Sequence, residues 1–259
     1  MTCSLQVLGC SGGIGAGLRT TSFLLNENTL MDAGTGVGDL TLDQLRKIDH
    51  IFLTHSHLDH ICSVGLLADS VGGSRKRPIS VYGIKATLDA LKCHILNNII
   101  WPDFTVIPSL EHPFLRLIPI EIGQVMDMGG YRITALPVSH SIAANGYAID
   151  SGTGVLVFSG DTGPHPAFWE AVNTYPNLKH LLIESSFTAS EQGLADISGH
   201  YSSLGIVKDL ANLKNKTAQV WISHLKPDGG NQIIQEILEA SQHLPQKIQS
   251  LEQDQILMF

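Results

Sequence analysis

Short apolar runs bounded by Gly, Asn or Asp alternate along this chain with longer stretches whose apolar residues recur at helical spacing. The short runs predict strands at Ser4 to Leu8, Ser22 to Asn26, Thr29 to Asp32, His50 to Thr54 and Pro78 to Tyr82. More follow at Leu115 to Ile122, Tyr131 to Ala135, Tyr147 to Asp150, Val155 to Ser159, His180 to Ile183 and Val220 to Ser223. Helices are predicted over Ile61 to Ser70, closed by Gly72 and Gly73, and over Thr87 to Asn97, Pro166 to Val172, Ser202 to Ala211 and Gln232 to Gln242. Strands come in clusters with helices between them. That order predicts an α/β chain of two β-rich halves packed together with helices outside, the halves joining near residues 129–137.

The 259 residues are 43% hydrophobic and 15% charged, enough apolar material for one domain spanning 1–259 and too little charge for disorder. The formal charge of −8 disfavours a surface built to hold nucleic acid or an anionic membrane. No stretch approaches the roughly 18 apolar residues of a membrane span. The opening MTCSLQVLGCSGG lacks the basic and apolar regions of a signal peptide. Cys3, Cys10, Cys62 and Cys93 are scattered without a CxxC pair, which fits free thiols in a reducing compartment. A cytoplasmic globular enzyme is the expectation. The basic segment GGSRKRP (Gly72 to Pro78) reads as a solvated loop.

Chemistry concentrates at THSHLDH, Thr54 to His60, directly after the apolar Ile51 to Leu53. A strand ending in His-x-His-x-Asp-His brings four metal-ligating side chains to one strand-to-helix turn, and imidazole with carboxylate is the donor set of Zn²⁺ and its neighbours. His55 and His57 can converge on one ion, and Asp59 with His60 turns toward a second. Further donors stand at later strand ends: His140 in PVSHS, Asp161 between glycines in SGDTG, and His224 in ISHLKP. Each alone is an ordinary turn residue. Together they complete two sites sharing Asp161. Asp32, in LMDAGTG, reads as a residue that ties down the metal-bearing loops. The glycines from Gly9 to Gly17 lack a Walker lysine and the GxGxxG register, and read as a turn beside the metal edge, ending at Arg19, Thr20 and Thr21.

THSHLDH, His140, SGDTG and SHLKP, in this order, resemble the metallo-β-lactamase superfamily. The resemblance implies a four-layer αβ/βα sandwich with a dinuclear site on one edge. It implies His55, His57 and His140 on one metal, Asp59, His60 and His224 on the other, and Asp161 bridging both. HSHLDHICSVGLL, with KCHILNNIIWPDF, LLIESSF and SHLKP, is further similar to the class II 3′,5′-cyclic-nucleotide phosphodiesterases. That family implies hydrolysis of cAMP or cGMP to a nucleoside 5′-monophosphate by a metal-bridging hydroxide, two divalent ions (Zn²⁺, with Mn²⁺ or Fe²⁺ as alternatives), and a homodimer. Catalytic roles then fall to Asp59 and to His200 in SGHYSSLG, the candidate acid for the leaving 3′-oxygen, oriented by Glu184 in a pairing similar to that of ribonuclease Z.

Substrate contacts are expected from Trp101 and Phe104 by stacking, from Asn97 or Asn98 at the base edge, and from His94 and His165 as pocket lining. His50, His112, His180 and His243 read as structural or surface residues. Ribonuclease Z-like processing and an aryl- or alkylsulfatase remain alternatives on the same site. A non-enzymatic cyclic-nucleotide-binding protein has no need of an open paired centre.

Overall fold

In the computed structural model, which describes residues 2–259, the apolar runs become strands of two seven-stranded sheets. The first holds β1 (Ser4–Gly9), β2 (Ser22–Leu25), β3 (Thr29–Met31), β4 (His50–Phe52), β5 (Ile79–Ile84) and β6 (Leu115–Ile120). The second holds β7 (Val125–Asp127), β8 (Arg132–Pro137), β9 (Asn145–Asp150), β10 (Val155–Phe158), β11 (Leu178–Glu184), β12 (Gln219–Ser223) and β13 (Lys247–Ser250). The chain then returns, and β14 (Ile256–Met258) pairs with β1 on the far edge of the first sheet. The strand orders are β14-β1-β2-β3-β4-β5-β6 and β13-β12-β11-β10-β9-β8-β7. In each sheet antiparallel pairs give way to three successive parallel pairs, β3 to β6 in one and β10 to β13 in the other. Two copies of one plan thus face each other.

The eight α-helices are α1 (Leu42–Lys47), α2 (Leu58–Ile61), α3 (Ser63–Val71), α4 (Lys85–Ala90), α5 (Pro166–Val172), α6 (Gln192–Ser198), α7 (Ser203–Leu210) and α8 (Gly230–Ala240). Strand alternation sorts the apolar side chains into three layers. Ile51 of β4 joins Leu30, Val64, Leu67 and Ala68 between the first sheet and α3, while Phe52 points the other way. Between the sheets Phe52 meets Leu5, Phe23, Tyr147, Phe158 and Leu182, and Phe23 stands edge-on to Phe158 at 4.9 Å between ring centres. Behind the second sheet Val157, Leu181 and Val220 pack on Phe168, Trp169, Ile206 and Ile237. This is the αβ/βα sandwich.

Two expectations are corrected. The chain passes from one sheet to the other at residues 121–124, between β6 and β7, ahead of 129–137, because β7 is an exposed hairpin strand with too little apolar character to show as one. The helix expected over Thr87 to Asn97 is the six-residue α4 followed by a single π-turn at Leu91–Ile95, after which Asn98 adopts a left-handed backbone. The helix at Gln192–Ser198 is one the sequence pattern did not predict.

Candidate metal centre

β4 ends in the buried Phe52, and the chain turns through Thr54 to His57 into α2. This turn is held from below by Asp32, which is fully buried just after β3 with a left-handed φ of 55°. The Asp32 carboxylate accepts from the Thr54 N–H at 2.8 Å, from the Thr54 hydroxyl at 2.8 Å and from His60 Nδ1 at 2.7 Å. The Thr54 hydroxyl, donating to Asp32, is left to accept from His55 Nδ1 at 3.0 Å. One carboxylate and one hydroxyl therefore place both protons on Nδ1 and turn the Nε2 lone pairs of His55 and His60 into the cleft.

The second half supplies the other wall. His140 follows β8, and its Nδ1–H donates to the Gly199 carbonyl at 2.9 Å, so its Nε2 also faces the cleft. Gly199 has φ 69°, and a Cβ there would sit 2.6 Å from the Ser141 amide nitrogen, so no larger residue can bring that carbonyl so close. His224 leaves β12 with φ 58°; its Nδ1 donates to Ser186 Oγ at 3.0 Å. Gly12 lies so close that its Cβ would be 2.7 Å from that imidazole. Two non-glycine residues in the left-handed region, Asp32 and His224, thus sit at the same cleft, a pattern of local strain kept where geometry matters.

The nitrogens converge. His55 Nε2 and His140 Nε2 each lie 3.1 Å from His57 Nδ1. A proton on His57 could satisfy only one of these neighbours, whereas a cation at their centre satisfies all three. On the other side, His224 Nε2 is 3.2 Å from Asp59 Oδ2 and 3.3 Å from Asp161 Oδ2, and His60 Nε2 is 3.4 Å from Asp161 Oδ1. That His60 Nε2 is buried and has no hydrogen-bond partner. His55, His57, His140 and Asp161 form one cluster of donor atoms, and Asp59, His60 and His224 another, each with all atoms within 4.8 Å. Asp161 reaches both, with one oxygen toward His60 and the other 3.7 Å from His55 Nε2. The donor set is all nitrogen and oxygen and fits two borderline divalent ions.

Charge points the same way. Burial opposes an ionised Asp161, but the surrounding imidazoles of His224, His60 and His55 outweigh it and hold its pKa well below the usual carboxylate range. Burial likewise opposes a proton on His60, yet Asp161 and Asp32 raise its pKa well above the ordinary value. His55, His57 and His140 are instead lowered, first by burial and then, for His55, by the charge of His60 and, for His57, by that of His140. The cleft favours positive charge between neutral imidazoles, where a metal ion would sit.

His200 stands beside this set. Its Nδ1–H donates to Glu184 Oε1 at 2.6 Å, and the ring lies 4.8 Å from that of His140 and stacks near His224 at 5.5 Å. Nδ1 is thereby committed to Glu184, and His200 also forms a third group of donor atoms with Asp161 and His224. Burial lowers its proton affinity, and the Glu184 carboxylate more than restores it, leaving the pKa raised. Sequence reasoning missed Ser186. Its hydroxyl donates to Glu184 Oε2 at 3.2 Å and accepts from His224 Nδ1, linking the acid–base pair to a metal-facing imidazole. The doublet Ser185-Ser186 after β11 carried no signal of its own, because serines after strands are ordinary.

Of the residues expected to touch substrate, the two asparagines and the two aromatics have partners in their own loop or in the core. Asn97 uses its side chain on its own loop, accepting from the amides of Ile99 and Ile100 and donating to the Cys93 and His94 carbonyls. Asn98 accepts from the Asp103 amide. Trp101 is half-buried, pressed on Gly65 of α3, where a Cβ would be 2.8 Å from its ring. Phe104 is core, and His94 is exposed. His165 is half-buried at the start of α5. In the loop from 97 to 104 Trp101 and Phe104 pack inward and the asparagines make turns, while Ile99 and Ile100 are exposed.

A family model described as a beta-lactamase superfamily domain matches residues 27–240. A "Probable 3′,5′-cyclic-nucleotide phosphodiesterase" of Yersinia pestis is 28% identical over 207 residues, 70% of this chain and 58% of that protein. A "Ribonuclease Z" of Haloarcula marismortui is 30% identical over 162 residues, 58% of this chain and 48% of that one. The chain thus spans about half the length of the curated relatives it matches. Among solved structures, unliganded yeast PDE1 superposes with a TM-score of 0.82 at 18% identity, covering 100% of this chain and 99% of that one, which is a likeness of fold.

Proposed function

The chain belongs to the beta-lactamase superfamily, and from that premise we propose that it is a dinuclear-metal phosphodiesterase that opens 3′,5′-cyclic nucleotides to nucleoside 5′-monophosphates. The observation that carries the reading is the pair of donor clusters sharing Asp161, each imidazole fixed by a partner on its far nitrogen or by its neighbours. Two divalent ions bound there supply a nucleophile at neutral pH and neutralise charge on the phosphoryl oxygens. The chain's own residues do the rest. Asp32, Thr54, Gly199 and Ser186 hold the imidazoles in the tautomer that can ligate. Asp59, on α2 and partly exposed, closes one cluster at the cleft mouth. His200, whose proton affinity Glu184 raises, stands ready to deliver a proton to the leaving alkoxide. The Yersinia pestis relative supports the substrate class.

A second reading, processing of RNA ends, is favoured by the Glu184–His200 pair and by the Haloarcula marismortui relative. The charge of −8 weighs against it, since a phosphate backbone needs cations along its track. The test is hydrolysis of 3′,5′-cAMP, 3′,5′-cGMP, an aryl sulfate and a precursor tRNA by metal-quantified protein. Release of 5′-mononucleotide, abolished in Asp161→Ala, supports the proposal. Cleavage of the RNA or the sulfate with inert cyclic nucleotides replaces it. The expected two-fold dimer is checked in the same preparation by light scattering.

A further inference from the structure

A cavity of about 430 Å³ is lined by Leu225 and Lys226, the two residues that follow His224 in the chain. It opens where β12 and β13 end, the carboxyl edge of parallel strands at which ligands of α/β sheets gather. Its lining mixes apolar side chains, Leu18, Leu225 and Leu251 among them, with Lys226, Asp228 and Asn231. The volume and this mixture are those of a small-molecule site: an apolar body with a few polar groups.

The cavity is joined to the centre. Leu225 and Lys226 follow His224 directly, and Ser11 precedes Gly12, whose backbone rests on the His224 ring. Gly12 N–H donates to the Leu225 carbonyl at 3.0 Å, and Lys226 Nζ donates to the Gly12 carbonyl at 3.0 Å. The half-buried ammonium thus stands at the seam between cavity and cleft. Among the described residues no carboxylate lies within ion-pair distance of it, in a chain with 24 acidic and 16 basic side chains. Its charge is felt at His200, where it disfavours a proton.

We propose that this cavity holds the nucleoside part of the substrate, Lys226 positioning the anionic ribose-phosphate end toward the Asp161 clusters and Asn231 and Asp228 serving the base edge. The inference rests on the cyclic-nucleotide reading for its choice of ligand. A planar base suits the apolar lining, an amide and a carboxylate suit the donors and acceptors on its edge, and an ammonium suits the phosphate. Lys226 is a positioning residue. Its removal is expected to weaken binding of phosphodiesters, whereas loss of Asn231 should act on those that carry a base.

The experiment compares wild type, Lys226→Met, Lys226→Arg and Asn231→Ala, all with measured metal content and melting temperature. It reads kcat and KM for 3′,5′-cAMP and 3′,5′-cGMP, kcat/KM for methyl p-nitrophenyl phosphate, and calorimetric binding of 5′-AMP. Expected are a KM for the cyclic nucleotide raised about tenfold in Lys226→Met and in Asn231→Ala with kcat held within about twofold, weaker 5′-AMP binding by a similar factor, and partial rescue by Lys226→Arg. The methyl diester, which carries the phosphate but no base, should lose kcat/KM in Lys226→Met and lose less than the cyclic nucleotide in Asn231→Ala. Unaltered cyclic-nucleotide KM and 5′-AMP affinity in both variants overturn the cavity assignment while leaving the phosphodiesterase reading intact. A wild type that cleaves no cyclic nucleotide overturns that reading, and the 5′-AMP titration then decides the cavity alone: absent or variant-insensitive binding sinks it.

Discussion

Asp32 shows how much one buried side chain can organise. It collects the Thr54 N–H, the Thr54 hydroxyl and His60 Nδ1 with no solvent exposure. Asp32→Ala would leave three buried donors without acceptors, each costing roughly 1–3 kcal/mol, so a loss of about 3–5 kcal/mol in unfolding free energy is expected. Asp32→Asn is the sharper test. An amide nitrogen facing His60 Nδ1 would reverse the imidazole tautomer and turn an N–H into the cleft, so bound metal should fall about 10–100-fold in affinity with a smaller loss of stability. Metal titration beside urea denaturation separates the two effects, and equal metal affinity would remove Asp32 from the site's support. For Asp161→Ala, which strips both clusters of their common carboxylate, loss of activity together with bound metal is expected. Retention of both would end the bridging assignment. The string THSHLDH was legible because seven consecutive residues carry the pattern, and Asp32, His140, Asp161 and His224 because each follows an apolar strand. Ser186 was not, since its meaning lies in contacts 2, 14 and 38 residues away.

At the scale of elements, legibility follows local signal. β1 through β6 and β8 through β12 were readable as apolar runs, whereas β13 has one apolar residue in four and β14 is only three residues long, and both exist because a neighbouring strand receives them. α1 is set by a capping box in which Thr41 Oγ1 accepts from the Gln44 amide and Gln44 Oε1 accepts from the Thr41 amide. Thr41→Ala should cost about 1 kcal/mol without touching turnover, because α1 supplies no residue to the clusters. The 97–105 loop makes a different prediction. Burial raises the Asp103 carboxyl, but its bonds to Lys92 and Thr105 outweigh this, so its pKa lies below the ordinary value. A carboxyl depressed in the folded state contributes stability above its unfolded pKa of about 3.9, and that contribution is lost as pH falls through the lower folded value. The loop should therefore loosen from about pH 4 downward. In a variant with Trp169 and Trp221 replaced by Phe, Trp101 emission reports it, and Asp103→Asn should flatten the profile. An identical acid transition in Asp103→Asn would assign it to other groups.

The two sheets follow one plan, and the site is divided between them: His55, His57, Asp59 and His60 come from the first half, His140, Asp161 and His224 from the second. That division was half legible. The repeat of strands and helices could be read, but the crossover at residues 121–124 could not, because nothing in β7 marks the change of sheet. The halves are bound by the layer containing Phe23, Phe52, Tyr147 and Phe158, so neither can leave without exposing large apolar surface. Phe158→Ala should remove about 3–5 kcal/mol and keep one unfolding transition, since the layer is shared. Metal ligation adds a second tie across the same seam. Its worth grows with occupancy, reaching about 2.7 kcal/mol when free metal is a hundredfold above its dissociation constant. In a chain of this size a change of that order moves the melting temperature by about 5–10 °C. Chelation should therefore lower the melting temperature by that amount in wild type and by much less in Asp161→Ala, whose bridge is already gone. Calorimetry with and without chelator reads both. Equal shifts in the two proteins would mean that the metal is held by one half alone, and the shared-carboxylate architecture would have to be abandoned.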